Sequence, residues 1–304
     1  MTLMTRRAAL GAGAALPIAA VLPAQAAAPM QEPTVQNARR FMLGDLEVTT
    51  LLANTLTNPT PPQEIFGMNV DAETFAAVSA EAFIPADVNQ FFFTPTLVNN
   101  GESLILFDTG QSPEDITAAV EGAGYATGDI DTVVLTHMHG DHIGGLMANG
   151  TPTFANAAYV TGQTEFEAWA AMENEGFETK VRPLAEKMTF IGDGQDAAPG
   201  ITAMAAFGHT PGHMSYRLSS GDKSLLIAAD LANHYVWSLA YPDWEVKFDM
   251  DKEAAANSRR TILGMLASER IPMIGYHMPF PAVGYVETRG DGFRWVPESY
   301  QMML

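Results

Sequence analysis

Within LTHMHGDHIGGL, residues 135–146, three histidines and one aspartate fall in six consecutive positions of a chain with only seven histidines. His137 and His139 are two apart on what reads as nearly extended chain. Their imidazoles therefore leave the backbone on the same side and can share one metal ion. Gly140 permits a turn, after which Asp141 and His142 point elsewhere. Four such side chains cannot all reach one tetrahedral ion without severe backbone strain. Two ions ~3.5–4 Å apart, the separation common in two-metal hydrolytic sites, resolve the conflict. Two ions need further ligands. GHTPGHMSY offers His209 and His213, LLIAAD ends in Asp230, and MIGYH ends in His277. An aspartate closing an apolar strand is well placed to bridge two ions; the same residue also reads as a helix N-cap after the strand.

Residues so far apart in sequence need a rigid frame to gather them. Residues 41–53 read as one strand, and Asn58 to Pro62 as loop. The segment 91–110 holds two strand-like runs joined at Asn99-Asn100-Gly101, a hairpin signal. Ser112-Pro113-Glu114-Asp115 starts a helix, with serine as N-cap, proline in the first turn and an acid following. That helix runs to about Gly122–Gly124. The β-branched run from Ile130 to Thr136 ends at the histidine cluster, so the cluster sits on a loop leaving a buried strand. Alternation continues with a strand at 157–161, a helix at 163–174 and short runs near 188–191, 201–206, 214–219 and 224–229. A longer helix over 252–269 sets Ala255, Ile262, Leu263 and Leu266 on one face, and a strand at 272–276 ends at His277. Two β-rich halves, each with helices to cover one sheet face, suggest sheet packed on sheet with helices outside. Periodicity alone does not choose that architecture.

Composition narrows the chemistry. A formal net charge of −19 repels polyanions at long range and argues against nucleic acid as partner. Zero cysteines removes disulfides, thiolate ligands and cysteine nucleophiles together. Thr5-Arg6-Arg7 precedes an apolar run from Ala8 to Leu22 and the small-x-small site Ala24-Gln25-Ala26, which reads as a signal peptide over 1–26. Paired arginines ahead of a weakly hydrophobic run look like a twin-arginine signal, giving a periplasmic or secreted protein. Beyond that run no stretch is long and apolar enough for a membrane span. Residues 27–40 read as a flexible lead-in, and 41–304 as a single domain. The sequence is equally compatible with a monomer and a homodimer.

The run His-x-His-x-Asp-His, the turn Gly-His-Thr-Pro-Gly-His, the strand-terminal Asp230 and the late His277 resemble the metallo-β-lactamase superfamily across residues 41–300. FDTG at 107–110, HMPFPAVGY and the terminal GDGFRWVPESY look like its methyl parathion hydrolase and acyl-homoserine lactonase group. The resemblance implies an αββα four-layer sandwich with the site along one edge of the sheets. It implies that His137, His139 and His213 hold one ion, that Asp141, His142 and His277 hold the second, and that Asp230 bridges. It leaves His209 to brace the turn and Asp108 to brace a ligand histidine. Trp169 and Phe177 fall where that group has pocket aromatics, although core packing is an equal reading. His234 and Asn233, just past the bridge, are candidate substrate contacts.

The chemistry so implied is attack on a carbonyl or phosphoryl centre by hydroxide shared between two divalent ions, with Asp141 and Asp230 also among the catalytic groups. Zinc is expected, though a His/Asp set also accepts manganese, cobalt or iron. Neutral imidazoles, with carboxylates offsetting part of the ions' charge, suit a small neutral ester or lactone. N-acyl-homoserine lactones are the leading expectation and phosphotriesters the alternative. A β-lactamase is disfavoured by the missing cysteine and by the Asp230 bridge. An iron dioxygenase acting on persulfides would hold one ion per chain, not two.

The leader makes the first prediction. Replacing Arg6 and Arg7 by lysine should trap the protein in the cytoplasm, as read by fractionation. Unimpaired export of the double-lysine protein would overturn the twin-arginine reading.

Overall fold

The computed structural model describes residues 37–303. The expected leader and the lead-in up to residue 36 lie outside the described residues. β1 (Ala38–Leu43) and β2 (Leu46–Leu51) form a tight hairpin in which Leu43 faces Leu46. One strand was expected over 41–53. Gly44, at φ 59°, and Asp45 break it into two, because a two-residue hairpin turn needs left-handed backbone that glycine adopts freely. Residues 38–40 also belong to this sheet rather than to a lead-in. They pair with Thr49 to Leu51, and Arg39 reaches Glu298 at 2.8 Å.

β3 (Asn54–Asn58), α1 (Ala72–Glu81) and β4 (Asn89–Phe93) follow, none of them separated out by sequence pattern. The expected strand beginning at 91 divides at Thr94-Pro95. β4 pairs with β3, whereas β5 (Thr96–Asn99) enters the main sheet beside β6 (Leu104–Phe107). α2 (Pro113–Gly122) starts where expected, with Ser112 Oγ accepting the Asp115 N–H at 3.1 Å. β7 (Thr132–Leu135), the single-turn α3 (Gly140–Ile143), the small hairpin β8 (Met147–Ala148) and β9 (Thr151–Pro152), then β10 (Ala158–Gly162) complete the middle of the chain. α4 (Gln163–Ala170) ends four residues before the expected 174. After β11 (Met188–Ile191) come β12 (Asp196–Ala198), β13 (Ile201–Ala205), β14 (Met214–Ser220) and β15 (Lys223–Ala229). α5 (Lys252–Glu269), β16 (Met273–Gly275), β17 (Val283–Arg289) and β18 (Gly292–Pro297) close the domain.

The strands make two seven-stranded sheets, ordered β1-β2-β5-β6-β7-β10-β11 and β12-β13-β14-β15-β16-β17-β18. Strand side chains alternate between faces, and here both faces are buried. In β6, Ile105 and Phe107 join the core between the sheets, with Tyr216, Leu218 and Ile227 of the second sheet. Leu104 and Leu106 point the other way, into a core with Ile116, Ala119 and Val120 of α2. On the far side α5 lays Ile262, Leu263 and Leu266 against Leu226 and Met273. This is the expected αββα sandwich. A third, smaller core gathers Phe66, Phe75, Phe91, Trp237 and Trp244.

Topology places the chemistry. β6 and β7 run parallel in one sheet, and β15 and β16 run parallel in the other. The carboxyl ends of both pairs emerge at one edge of the sandwich, where peptide groups have run out of strand partners and loops can carry function. Asp108 follows β6, His137 to His142 follow β7, Asp230 follows β15 and His277 follows β16. α3 is pressed onto the loop after β6: a Cβ on Gly144 would sit 2.1 Å from the Gln111 carbonyl oxygen, and one on Gly145 2.2 Å from that of Thr109. Gly145→Ala must push these loops apart. It should cost about 1–3 kcal/mol, the usual price of overpacking, read as a lower urea midpoint at unchanged slope.

Candidate metal centre

Six imidazoles and two aspartates meet at this edge. His137 Nε2 lies 3.2 Å from His139 Nδ1, which lies 2.9 Å from His209 Nε2. Asp141 Oδ2 is 3.4 Å from His277 Nε2 and 3.7 Å from His142 Nε2. Between the two groups stands Asp230. Its Oδ1 is 3.2 Å from His142 Nε2, and its Oδ2 is 3.2 Å from His277 Nε2 and 3.3 Å from His209 Nε2. Thus His137, His139 and His209 form one candidate donor set, Asp141, His142 and His277 a second, and Asp230 sits where a bridging carboxylate would.

The sixth imidazole corrects the expectation. His213 does not face the donor sets; His209 does. His213 is fully buried immediately before β14, and its Nε2 accepts the backbone N–H of Asp230 at 3.1 Å. Thr210-Pro211-Gly212 forms the turn between the two, leaving His209 in the cleft while the pairing of β14 draws His213 beneath the sheet end. The ligand and the bracing roles of these two residues are therefore exchanged.

The outer nitrogens fix which atoms face inward. His277 Nδ1 donates to the Phe92 carbonyl at 2.8 Å, His142 Nδ1 to Asp108 at 2.8 Å and His209 Nδ1 to Asp249 at 2.9 Å. Each hydrogen bond fixes a proton on Nδ1 and turns Nε2 toward the donor sets, so Nε2 is the atom a metal ion would take in place of any proton there. His142 Nε2 and Asp230 Oδ1 are buried, and neither has a hydrogen-bond partner among the described residues. Burial, reinforced by His209, lowers His139 to about 3, so its ring stays neutral. Burial also acts against a charged His209, but the hydrogen bonds its ring donates to Asp230 and Asp249 outweigh it and raise that ring to about 9. Asp230 behaves oppositely. Burial disfavours its charge, yet His277 and His142 hold it well below the usual carboxylate range. Converging lone pairs, orphaned buried atoms and a buried carboxylate surrounded by imidazoles are the fit expected for two divalent metal ions.

A sequence profile of the Metallo-beta-lactamase superfamily matches residues 94–273, which carry all of these residues except His277. The chain belongs to this superfamily. Among curated relatives, the N-acyl homoserine lactonase of Bacillus cereus is 28% identical over 156 residues, 51% of this chain and 58% of that enzyme. The chain thus spans about half the length of the curated relatives it matches. Among solved structures, AidC, a dizinc quorum-quenching lactonase in complex with a product, superposes with a TM-score of 0.80 at 25% identity, covering 87% of this chain and 98% of its own. The hydrolase AbOPH superposes at 0.81 with 23% identity, covering 88% and 100%, and attests the fold.

In this superfamily member the cleft beside the donors has a volume of about 540 Å³. Its apolar walls are Leu56, Phe91, Phe93 and Phe248. The expected pocket aromatics are elsewhere. Phe177 is fully buried against Phe166, with the Arg182 guanidinium over its ring. Trp169 is buried too, edge-on to His139 at 5.7 Å. His234 stacks on Trp237 at 4.0 Å, and its Nδ1 accepts the backbone N–H groups of Val236 and Trp237. It is a loop-fastening residue, and none of the three lines the cleft. Asn233 instead donates to Asp230 Oδ2 at 2.8 Å.

Three positioning acids act behind the donors, of which only Asp108 was expected. Asp108 also accepts from the Thr136 N–H and hydroxyl, tying β6 to β7. Asp249 joins His209 to the buried Arg259 at 2.8 Å. An arginine in the apolar stripe of α5 was the available signal, since a buried guanidinium needs a carboxylate. Glu165 gave none. Its buried carboxylate accepts from the Met138 N–H (2.9 Å) and Trp169 Nε1 (2.7 Å) on one oxygen. The other accepts from Thr210 Oγ1 (2.7 Å) and the Gly212 N–H (2.9 Å). It thereby joins the loop of His137 and His139 to the turn of His209.

Glutamine at 165 would present an N–H₂ group to two of those donors. Glu165→Gln should weaken zinc binding by about 10–100-fold, the scale of losing an outer partner of a ligand. Zinc titration, with melting temperatures of loaded and chelated protein, checks it. Unchanged zinc affinity would show that Glu165 does not set the His139–His209 geometry.

Proposed function

We propose that this protein is a binuclear metal-dependent lactonase of N-acyl-homoserine lactones, acting in the periplasm or outside the cell. One observation carries the substrate reading. The cleft offers a two-metal donor set beside four apolar walls, and among the described residues no lysine or arginine lines it. Apart from the metal ions themselves, a carboxylate, sulfate or phosphodiester substrate would find no cationic side chain among the cleft's described lining to hold it. A neutral ester with an apolar tail meets no such penalty. The named activities of the Bacillus cereus relative and of AidC support the same choice.

When bound, two such ions, zinc by analogy with AidC, supply an activated water and polarise a carbonyl oxygen. The chain's own residues do the rest. Asp230, fixed by Asn233 and by its backbone bond to His213, spans the two donor sets and keeps them at one separation. Tyr276 donates to the Asp141 carbonyl at 2.6 Å and lays its ring 3.9 Å from that of His142, fixing the second set from below. Phe91 meets His277 edge-on at 5.7 Å and Phe248 at 6.3 Å, an aromatic path from the donors to the surface. An acyl chain on that path would cover Phe248, which is 40% exposed, and water would be displaced from the cleft.

A phosphotriester is also neutral and is the second reading, favoured by the same cation-free lining. A substrate panel on metal-reconstituted protein decides between them. N-hexanoyl-homoserine lactone should be opened at a higher kcat/KM than any phosphotriester or β-lactam. Asp230→Ala and His209→Ala should each lower that value by more than about 100-fold, beyond the loss expected for an outer partner such as His213. A phosphotriester turned over faster than every lactone would replace the proposal.

A further inference from the structure

The polar lining of the cleft that holds no metal donor consists of Gln111 and Asn58, and the protein dictates which end of each amide is free. The assignment starts from a group that can only donate. The Thr55 backbone N–H donates to Asn54 Oδ1 at 2.8 Å, so the other end of Asn54 is its N–H₂. That Nδ2 donates to Gln111 Oε1 at 3.0 Å and also lies 3.4 Å from Asp115 Oδ2. The oxygen of Gln111 is therefore committed. Its Nε2 has no protein acceptor among the described residues. Asn58 repeats the arrangement: the Thr60 backbone N–H donates to its Oδ1 at 3.0 Å, and its Nδ2 has no protein acceptor among the described residues. Alternation along β3 sets Asn54, Leu56 and Asn58 on one face, and Leu56 and Asn58 of that face line the cleft.

We infer that Gln111 and Asn58 form a subsite for a neutral carbonyl oxygen, which in an N-acyl-homoserine lactone is the exocyclic amide carbonyl. This rests on the lactonase reading and goes beyond it. Two oriented amide donors without a cation suit an uncharged acceptor better than a carboxylate or phosphate, for which arginine or lysine is the better partner. The ring carbonyl is required at the donors of the metals, so the acceptor must be a second one. An amide carbonyl a few bonds away meets that need. Leu56, between Asn54 and Asn58 on the strand, then receives the first methylenes of the tail. The subsite selects amide-bearing lactones over simple alkyl lactones of equal hydrophobicity, because the latter leave both donors desolvated and unpaired.

The test compares N-hexanoyl-homoserine lactone with γ-decalactone, which has the ring and a tail but no amide, on zinc-loaded full-length protein. The quantity read is the ratio of their kcat/KM values. Gln111→Met should lower that ratio by about five- to tenfold, the scale of one hydrogen bond to a neutral group. Gln111→Glu keeps the acceptor for Asn54 while replacing the free donor by an acceptor, and it should lower the ratio at least as far. Calorimetry provides a reading without turnover: the ring-opened product N-hexanoyl-homoserine should bind Gln111→Met more weakly than wild type by a similar factor. An unchanged ratio in both variants, with wild type opening both lactones, overturns the subsite and leaves the lactonase reading intact. Wild type that opens neither lactone overturns the lactonase reading and the subsite with it.

Discussion

The constraint on which this structure turns is the buried charge of Asp230. A carboxylate removed from water is costly unless positive or donating groups surround it. Here His142, His209 and His277 approach within 3.3 Å, and Asn233 donates to it. These groups come from both sheets and from the loops between them. The carboxylate can be satisfied only when the carboxyl ends of β6 and β7 stand opposite those of β15 and β16. The two-core sandwich is the frame that enforces this meeting. Its hydrophobic layers provide the stability against which so many converging polar groups can be held.

Behind the converging atoms is a set of acids that touch no substrate and fix geometry. Asp108 orients His142 and joins it to Thr136. Asp249 orients His209 and is itself held by Arg259 of α5. Glu165 spans from the loop after β7 to the turn before β14 through four hydrogen bonds. Asp249 is anchored through Arg259 of α5 and Glu165 belongs to α4, so disturbing either outer helix would be transmitted to the imidazoles, whereas Asp108 is anchored within the sheet by Thr136. The cleft differs in character. Its apolar walls are drawn from β3, β4 and the loop around Phe248, and of these β4 gives Phe91 and Phe93 to the small aromatic core. β4 and the loop around Phe248 serve both tasks, since the Phe92 carbonyl orients His277 and Asp249 orients His209.

Much of this was legible in the residues themselves. Four ligand types in His137–His142 have no packing rationale, and strand-ending Asp230 and His277 announce their positions through the apolar runs before them. α2, α5 and most of the strands of both sheets follow from caps, turns and alternation, because these are local. Where local signals were weaker, the sequence misled. Gly44-Asp45 hides a hairpin inside one apolar stretch, and Thr94-Pro95 moves a strand from one sheet to another. The aromatics Trp169 and Phe177 looked available for a pocket and are core, since aromatic residues carry the same signature in both places.

The sequence by itself determined the kind of chemistry: which side chains were present, that they outnumbered one ion's needs, and that no thiol competed. Only the tertiary structure decided between His209 and His213. Both occupy one short turn, and the direction of each ring depends on β14 pairing with β13 and on Glu165 fastening Thr210 and Gly212 from across the domain. The same holds for Gln111, whose free amine end is set by Asn54 on a strand fifty-seven positions earlier. Ligand identity is a matter of residue type, which the chain carries locally. Ligand direction is a matter of long-range hydrogen bonding, which exists only once the sheets have met.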